Sequence, residues 1–242
     1  MNVLRTMKTR NKHKLSEKLK RYRELKKQQG MTLLEIIIVL GIIGVIAAGV
    51  VILAQRAYDS KAMTDLANNA NTIRVAMKDA YGQTGQYPLR NADVTAMTPA
   101  NYKTHTLSPI GKLLALGKVS VDEAQNNISS DFIDIGALTI GAKAQAGYYI
   151  QLNGLNQEQC RGLVNQMANN WDYVEVMQNA ASGVYNDIAP TTDIATGADT
   201  LPTTATPAAV LRSLAHPNQI SADTAVFVCE NSSENALVLG SR

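Results

Sequence analysis

The sequence predicts an α+β fold in which one long N-terminal helix packs on a globular head with an antiparallel β-sheet. Three observations lead to this prediction. Residues 36–54 form an apolar run of 19 residues without a charge, close to the roughly 20 residues that a membrane-spanning helix needs. A stripe of apolar residues at helical spacing follows without a turn signal. Short segments of alternating polarity then occur between loops, which is typical of strands.

The charge of the chain is divided unequally. The 242 residues carry a formal net charge of +3. Residues 1–30 are net +9, whereas residues 31–242 are net −6. A basic cluster could indicate phosphate binding. Here it directly precedes an apolar span, the layout of a targeting segment whose positive charges stay cytoplasmic. We therefore interpret residues 1–30 as a basic leader, expect the bulk of the chain outside, and expect no nucleic-acid partner.

The leader differs from an ordinary signal peptide. Its residues include no apolar run long enough for an h-region, and the small-x-small cleavage signature is poor around Ala54. A cut after Gly30 would remove the leader and leave the apolar helix on a mature chain that begins at Met31. Residues 31–54 are then the membrane helix.

The helix is expected to continue in water beyond Ala54. Gly82 and the breakers that follow it end the pattern, so residues 55–82 are an amphipathic continuation of the apolar helix. Its stripe, at spacings of three and four, predicts one face packed against the head. The stripe consists of Met63, Leu66, Ala70, Ile73, Met77 and Ala80.

Glycines interrupt the apolar half of the helix at Gly41, Gly44 and Gly49. Small residues let membrane helices approach closely. The alternative is that glycine is simply frequent in membrane helices. We favour close packing.

Residues 83–242 are predicted to form the α+β head. Residues 83–107 form an irregular connector and residues 180–206 a long surface excursion. Helices are expected after the cap Ser108, at the capping box that runs from Ser120 to Glu123, and after Asn156, as well as over residues 206–214. Strands are expected over residues 147–152, 171–176, 224–229 and 236–239.

Both cysteines, Cys160 and Cys229, lie on the predicted outer side. An even pair in an oxidising compartment indicates one disulfide. Closing a loop of about 70 residues stabilises by roughly 4 kcal/mol on the chain-entropy model. The bond would join a helix to a late strand and close the C-terminal region. Two buried free thiols are the alternative.

The sequence indicates neither an enzyme nor a metal or cofactor site. It contains no catalytic motif with a known mechanism, and its three His residues are scattered. Glu35 is the exceptional residue, because a carboxylate in hydrocarbon costs several kcal/mol and needs a partner. After a cut at Gly30, the amine of Met31 in a neighbouring parallel subunit could pair with it. Alternatively, Glu35 reaches water at the membrane interface of a simple signal anchor.

The segment GMTLLE at residues 30–35 and the apolar run after it resemble the processing signal of type IV pilins. A long leader and Met rather than Phe at the new N-terminus are similar to the type IVb branch, and within it to the longus and toxin-coregulated pilins. The likeness covers most of the chain. It includes residues 48–57, 71–81, 152–161, 170–173 and 210–215, and it is weak in the variable regions 88–106 and 178–206.

The resemblance implies a pilin fold and a major subunit of a fibre for adhesion, aggregation or colonisation. It implies that a prepilin peptidase cuts after Gly30 and methylates Met31, that Glu35 pairs with that amine of a neighbour, and that the apolar helices form the filament core. It also implies that Cys160 and Cys229 bridge the outward-facing C-terminal region.

The implied partners are other copies of the chain in a helical filament, an inner-membrane assembly platform with its ATPase, an outer-membrane secretin and minor pilins, with a host surface as a further partner. The implied location is the inner membrane and then the extracellular pilus of a Gram-negative cell.

One departure and two alternatives accompany the resemblance. Residues 31–81 contain no proline, so a proline kink of the type IVa kind is not expected, and any bend would start at Gly41, Gly44 or Gly49. A minor pilin or a type II secretion pseudopilin would share the helix. A signal-anchored periplasmic enzyme or binding protein would instead keep residues 1–30.

Overall fold

The computed structural model describes residues 17, 18, 20, 32–197 and 200–242. It divides into two compact units, one ending at Gln55 and the other covering Arg56–Arg242. The predicted cleavage point between Gly30 and Met31 lies outside the described residues. Helix α1 covers Leu33–Tyr81 without a break, so the predicted single long helix is confirmed.

The part of α1 within the second unit contributes one face to the core. Its buried residues recur at steps of three and four, as one face of a helix requires. Met63 and Ala80, at the two ends of the predicted stripe, are partly buried against the same core. The amphipathic pattern is therefore confirmed. The buried residues of α1 are Leu66, Ala67, Ala70, Ile73, Ala76 and Met77.

The head contains a five-stranded sheet in the order β1-β2-β5-β3-β4, in which every neighbouring pair is antiparallel. The last strand of the chain lies at the centre, where Leu239 is opposite Ile150 on one side and Val174 on the other. The C-terminal strand therefore joins the β1-β2 pair to the β3-β4 pair. The strands are β1 (Asp134–Ile140), β2 (Lys143–Leu155), β3 (Tyr173–Met177), β4 (Ala209–Arg212) and β5 (Asn235–Ser241).

Three short helices accompany the sheet: α2 (Pro109–Ala115), α3 (Gln157–Met167) and α4 (Ala222–Val228). Side chains predicted as caps make the expected bonds. The hydroxyl of Ser108 accepts from the amide of Gly111 at 3.2 Å. Single 3₁₀ turns cover Ala92–Ala96, Tyr102–Thr104 and Ala168–Asn170.

The two faces of the sheet bury different partners. One face packs with α1 in the main core, through side chains such as Ile150 and Leu239. The other face carries a smaller core that is completed by Ile188 and Ile194 from the excursion. The sequence predicts a surface excursion over residues 180–206; its described residues, 180–197 and 200–206, are irregular, but part of the segment covers the sheet. The smaller core consists of Leu138, Tyr149, Tyr173, Ile188, Ile194 and Val238.

Two predicted elements have the opposite secondary structure. The sequence predicts a helix over residues 206–214. Ala209–Arg212 is instead a strand, because it pairs with the edge of β3 that β5 leaves open. The sequence predicts a strand over residues 224–229, but residues 224–228 lie in α4 and Cys229 is its C-terminal cap. There Ala225 and Val228 are buried while Val226 is half exposed, which is helical spacing. Tertiary burial overrides the strand preference of β-branched residues.

The turn after Ser120 and strand β1 also differ from the prediction. The hydroxyl and amide of Ser120 bond the carboxylate of Glu123 at 2.7 and 2.8 Å, but the capping box closes a turn rather than a helix. Strand β1 was not predicted, and its sequence is buried almost throughout. A buried strand lacks the alternation that identifies strands from sequence.

Candidate functional site

The N-terminal turn of α1 positions Glu35. The hydroxyl of Thr32 accepts a hydrogen bond from the amide of Glu35 at 3.2 Å, and its carbonyl accepts from the amide of Ile36 at 3.2 Å. Thr32 is thus the N-cap, which the Thr-x-x-Glu signature could have revealed. A carboxylate in the first turn also faces the positive end of the helix dipole.

Within the described residues, nothing covers the apolar half of α1. No residue is buried in its most apolar stretch of 18 residues. Leu33 and Val45 are 77% and 76% exposed. A helix that is apolar all round is stable when a membrane or other protein surrounds it. Glu35 lies at the head of this surface with an exposed side chain.

The three glycines of the apolar half open onto this surface. A methyl group added at Gly41, Gly44 or Gly49 would meet no atom within 4 Å. Gly41 and Gly44 are three residues apart and so share a face of the helix. No contact within the described chain requires glycine at these positions, and close packing of the helices stays a prediction.

Cys160 and Cys229 form a disulfide with their Cα atoms 5.9 Å apart, within the usual range for the bond. Both residues are buried. Cys160 belongs to α3, and Cys229 is the residue that ends α4. The predicted link to a late strand is therefore wrong, because the bond joins two helices.

Hydrogen bonds support the same junction. The side-chain amide of Gln157 donates to the carbonyl of Cys229 at 3.1 Å, and Arg161 donates to the carbonyl of Val226 at 3.3 Å. These bonds satisfy carbonyls at the end of α4 that have no partner within the helix. The disulfide region is therefore a packed helix pair.

Two titratable side chains, Tyr173 and Glu175, are hydrogen-bonded to each other on the face of the sheet that carries the smaller core. The hydroxyl of Tyr173 donates to the carboxylate of Glu175 at 2.8 Å. Burial raises the pKa of Glu175 above its ordinary value, and burial also raises the pKa of Tyr173, so the phenol stays protonated. Among residues that the structure describes, no group of three His, Cys, Asp or Glu side chains is arranged to hold a metal ion.

Two protein-family models match the chain, one in the head and one at the start of the long helix. A family model described as "Toxin-coregulated pilus subunit TcpA" matches residues 112–227. A model described as "Prokaryotic N-terminal methylation motif" matches residues 25–51. The second match includes Gly30, Met31 and Glu35.

Individual relatives extend the likeness over most of the chain. The chain is 38% identical over 205 residues to a toxin coregulated pilin of Vibrio cholerae serotype O1, covering 83% of this chain and 87% of that protein. It is 40% identical over 154 residues to a second Vibrio cholerae toxin coregulated pilin, covering 64% of each. The crystal structure of TcpA, a type IV pilin from the Vibrio cholerae El Tor biotype, is similar with a TM-score of 0.55 and 25% identity. That match covers 75% of this chain and 99% of the other.

Proposed function

The chain belongs to the toxin-coregulated pilin family of type IVb pilins, and we propose that it is the major subunit of a type IVb pilus. Pilins are structural subunits that polymerise into extracellular pili, so the chain is not an enzyme. The observation that carries the proposal is the uncovered apolar half of α1 with Glu35 at its head. No described part of the chain covers this surface.

The proposed subunit passes through two environments. As a prepilin it is held in the inner membrane by residues 31–54, with residues 1–30 in the cytoplasm. In the fibre the same helix is buried among its copies, while the amphipathic continuation, residues 55–82, attaches it to the head, residues 83–242. Apolar residues on all sides of the helix are compatible with both environments.

Processing prepares the subunit for assembly. The methylation motif implies that a prepilin peptidase acts on the chain. We place the cut after Gly30 and the methyl group on the amine of Met31, which leaves a cation four residues before Glu35 in sequence. Pairing that amine with Glu35 of a neighbouring copy would neutralise both charges in the apolar core and set the axial register of the two subunits.

The remaining partners follow from the proposed assembly. Copies of the chain are extracted from the inner membrane by an assembly platform with its ATPase and leave through an outer-membrane secretin, with minor pilins in the same fibre. The resulting extracellular pilus would serve adhesion, aggregation or colonisation. Its outward-facing C-terminal region is held by the Cys160–Cys229 bond.

The composition of isolated surface fibres tests the proposal. Intact-mass and N-terminal peptide measurements should show this chain as the main component, starting at Met31 with a methylated amine. As a matched control, Gly30→Val places a branched side chain directly before the cut and should accumulate unprocessed chain in the membrane.

Two results would contradict the proposal. Fibres whose subunits retain residues 1–30 would exclude processing after Gly30. A chain that occurs only as a trace component of a fibre built from another pilin would instead be a minor pilin or a pseudopilin.

A further inference from the structure

One guanidinium in the head joins three segments of the chain. The Nε of Arg90 donates to Oδ2 of Asp134 at 2.7 Å, and its Nη1 lies 3.4 Å from Oδ1 of Asp187. Arg90 belongs to the connector, Asp134 begins β1, and Asp187 belongs to the excursion. The side chain of Asp134 is fully buried, whereas that of Asp187 is 91% exposed. Solvent and salt therefore screen the attraction between Arg90 and Asp134 less than that between Arg90 and Asp187.

The same carboxylate oxygen has a second donor. The hydroxyl of Tyr149 lies 3.3 Å from Oδ2 of Asp134. Tyr149 reaches it by crossing Gly136, its partner on the neighbouring strand. A Cβ atom at Gly136 would lie 2.6 Å from the Tyr149 ring. The absence of a side chain at Gly136 is therefore what lets the phenol reach the buried carboxylate.

Among the described residues, the other oxygen of Asp134 has no side-chain donor, and the backbone amide of Ile135 is the weakest of the influences that lower the pKa of this carboxyl. Oδ1 of Asp134 and Oε1 of Gln151 are both buried and have no hydrogen-bond partner in the described part of the chain. The two residues are direct cross-strand partners, which places their side chains next to each other on one face. The amide of Gln151 is oriented by its bond to Asn186 Oδ1 at 2.8 Å.

Neighbouring acceptors that both lack a donor cost free energy. A proton on Oδ1 of Asp134 would supply a donor and satisfy both, since Oδ1–H can donate to Oε1 of Gln151. The site is thus arranged for a proton as well as for the guanidinium of Arg90.

We propose that Asp134 is the proton-binding centre of a latch formed by Arg90, Asp134, Tyr149, Gln151 and Asp187. With Asp134 ionised, Arg90 ties the connector and the excursion to β1. When Asp134 takes up a proton, its hydroxyl bonds Gln151, Arg90 loses its buried counter-ion, and the connector around residue 90 and the excursion around residue 187 lose this link to β1. The latch would let acidity change the surface of the head while the sheet remains folded.

The electrostatics of the site are consistent with this exchange. Burial raises the pKa of Asp134 to about 6, against the opposing effects of Arg90 and of the hydrogen bonds that the carboxylate accepts. The groups that face Asp134 are Arg90 from the connector, Tyr149 and Gln151 from β2, and Tyr185 and Asp187 from the excursion.

The sign of the effect separates the latch from ordinary acid unfolding. Because the folded-state pKa of Asp134 is raised, the folded head binds this proton more tightly than the unfolded chain does. The contribution of Asp134 to stability is therefore present in full below its ordinary pKa and is lost as the pH rises through about 6. Acidification should loosen the chain around residues 90 and 187 without weakening the sheet through this group.

Hydrogen exchange of the full chain in detergent micelles tests the proposal. Rates at about pH 7.5 and about pH 5, on either side of the titration, are corrected for the intrinsic effect of pH. In the wild type, amides near residue 90 and residue 187 should lose protection at the lower pH, while those of β1 and β2 keep it. Asp134→Asn, neutral at both values, should show the low protection at both. Asp122→Asn removes an exposed carboxylate and should respond like the wild type.

Thermal unfolding supplies a second readout. The unfolding midpoint of the wild type should fall relative to that of Asp134→Asn as the pH rises through about 6. Equal protection of the wild type at the two pH values would overturn the latch, as would a pH response that persists in Asp134→Asn. Neither measurement depends on fibre assembly.

Discussion

Glu35 and Asp134 are both carboxylates whose surroundings decide their role. Asp134 has its cation, Arg90, within the same head. Glu35 is exposed at the start of an apolar helix that the described residues leave uncovered, and in the proposed fibre its cation is the Met31 amine of another copy. The assembly role that we propose for Glu35 is therefore tested best in the fibre.

Replacing Glu35 by alanine should abolish surface fibres or reduce them at least about tenfold. An unpaired amine of Met31 in an apolar core costs several kcal/mol, and about 1.4 kcal/mol already corresponds to tenfold. Electron microscopy of surface fibres measures the result. Glu35→Gln keeps the size of the side chain without its charge and should behave like Glu35→Ala.

The folded head should be unaffected by both changes, which its thermal unfolding in micelles can verify. Normal fibres in Glu35→Ala would rule out the charge-pairing role of Glu35.

Helix α1 has two halves with different tasks. The half that precedes Arg56 exposes apolar residues on every side, whereas the half in the second unit buries only one face. The pattern of Leu66, Ile73 and Met77 is local and regular, which is why the sequence predicts this packing. Helix α4 is too short for its period to be recognised in the sequence, and the burial of Ala225 and Val228 decides its type.

Ile73→Ala should destabilise the head by about 2–5 kcal/mol, because it leaves a cavity in the core at a fully buried position. Chemical denaturation of the full chain in micelles, followed by the fluorescence of the buried Trp171, measures the loss. Val75→Ala is the matched control two residues away, since Val75 is 68% exposed, and should change stability by less than about 0.5 kcal/mol. Equal losses for both changes would contradict the packing of α1 described here.

The head as a whole depends on contacts between distant parts of the chain. Its central strand, β5, is the last strand in the sequence. Its two cores lie on opposite faces of the sheet. The disulfide joins α3 to the end of α4 across 69 positions. The bond restricts the unfolded chain over the segment that contains β3, β4 and the whole excursion.

Replacing both cysteines by serine should lower the free energy of unfolding of the head by about 2–5 kcal/mol. The midpoint of thermal unfolding measures the loss, and removing both residues avoids a free thiol. Wild-type protein treated with a reductant should unfold at a similar temperature. A double variant as stable as the oxidised wild type would show that the bond does not stabilise the head.

Sequence alone determined the features that depend on neighbouring residues. The apolar run, the stripe of α1 and the caps Ser108 and Asn156 are set by local periodicity and hydrogen bonding, and the GMTLLE segment carried the resemblance to type IVb pilins. Tertiary structure alone decided β1, the exchange of strand and helix between β4 and α4, and the smaller core under the excursion. It also brought Arg90 to Asp134. These features depend on burial and strand pairing between residues far apart in sequence, whose energies no local pattern contains.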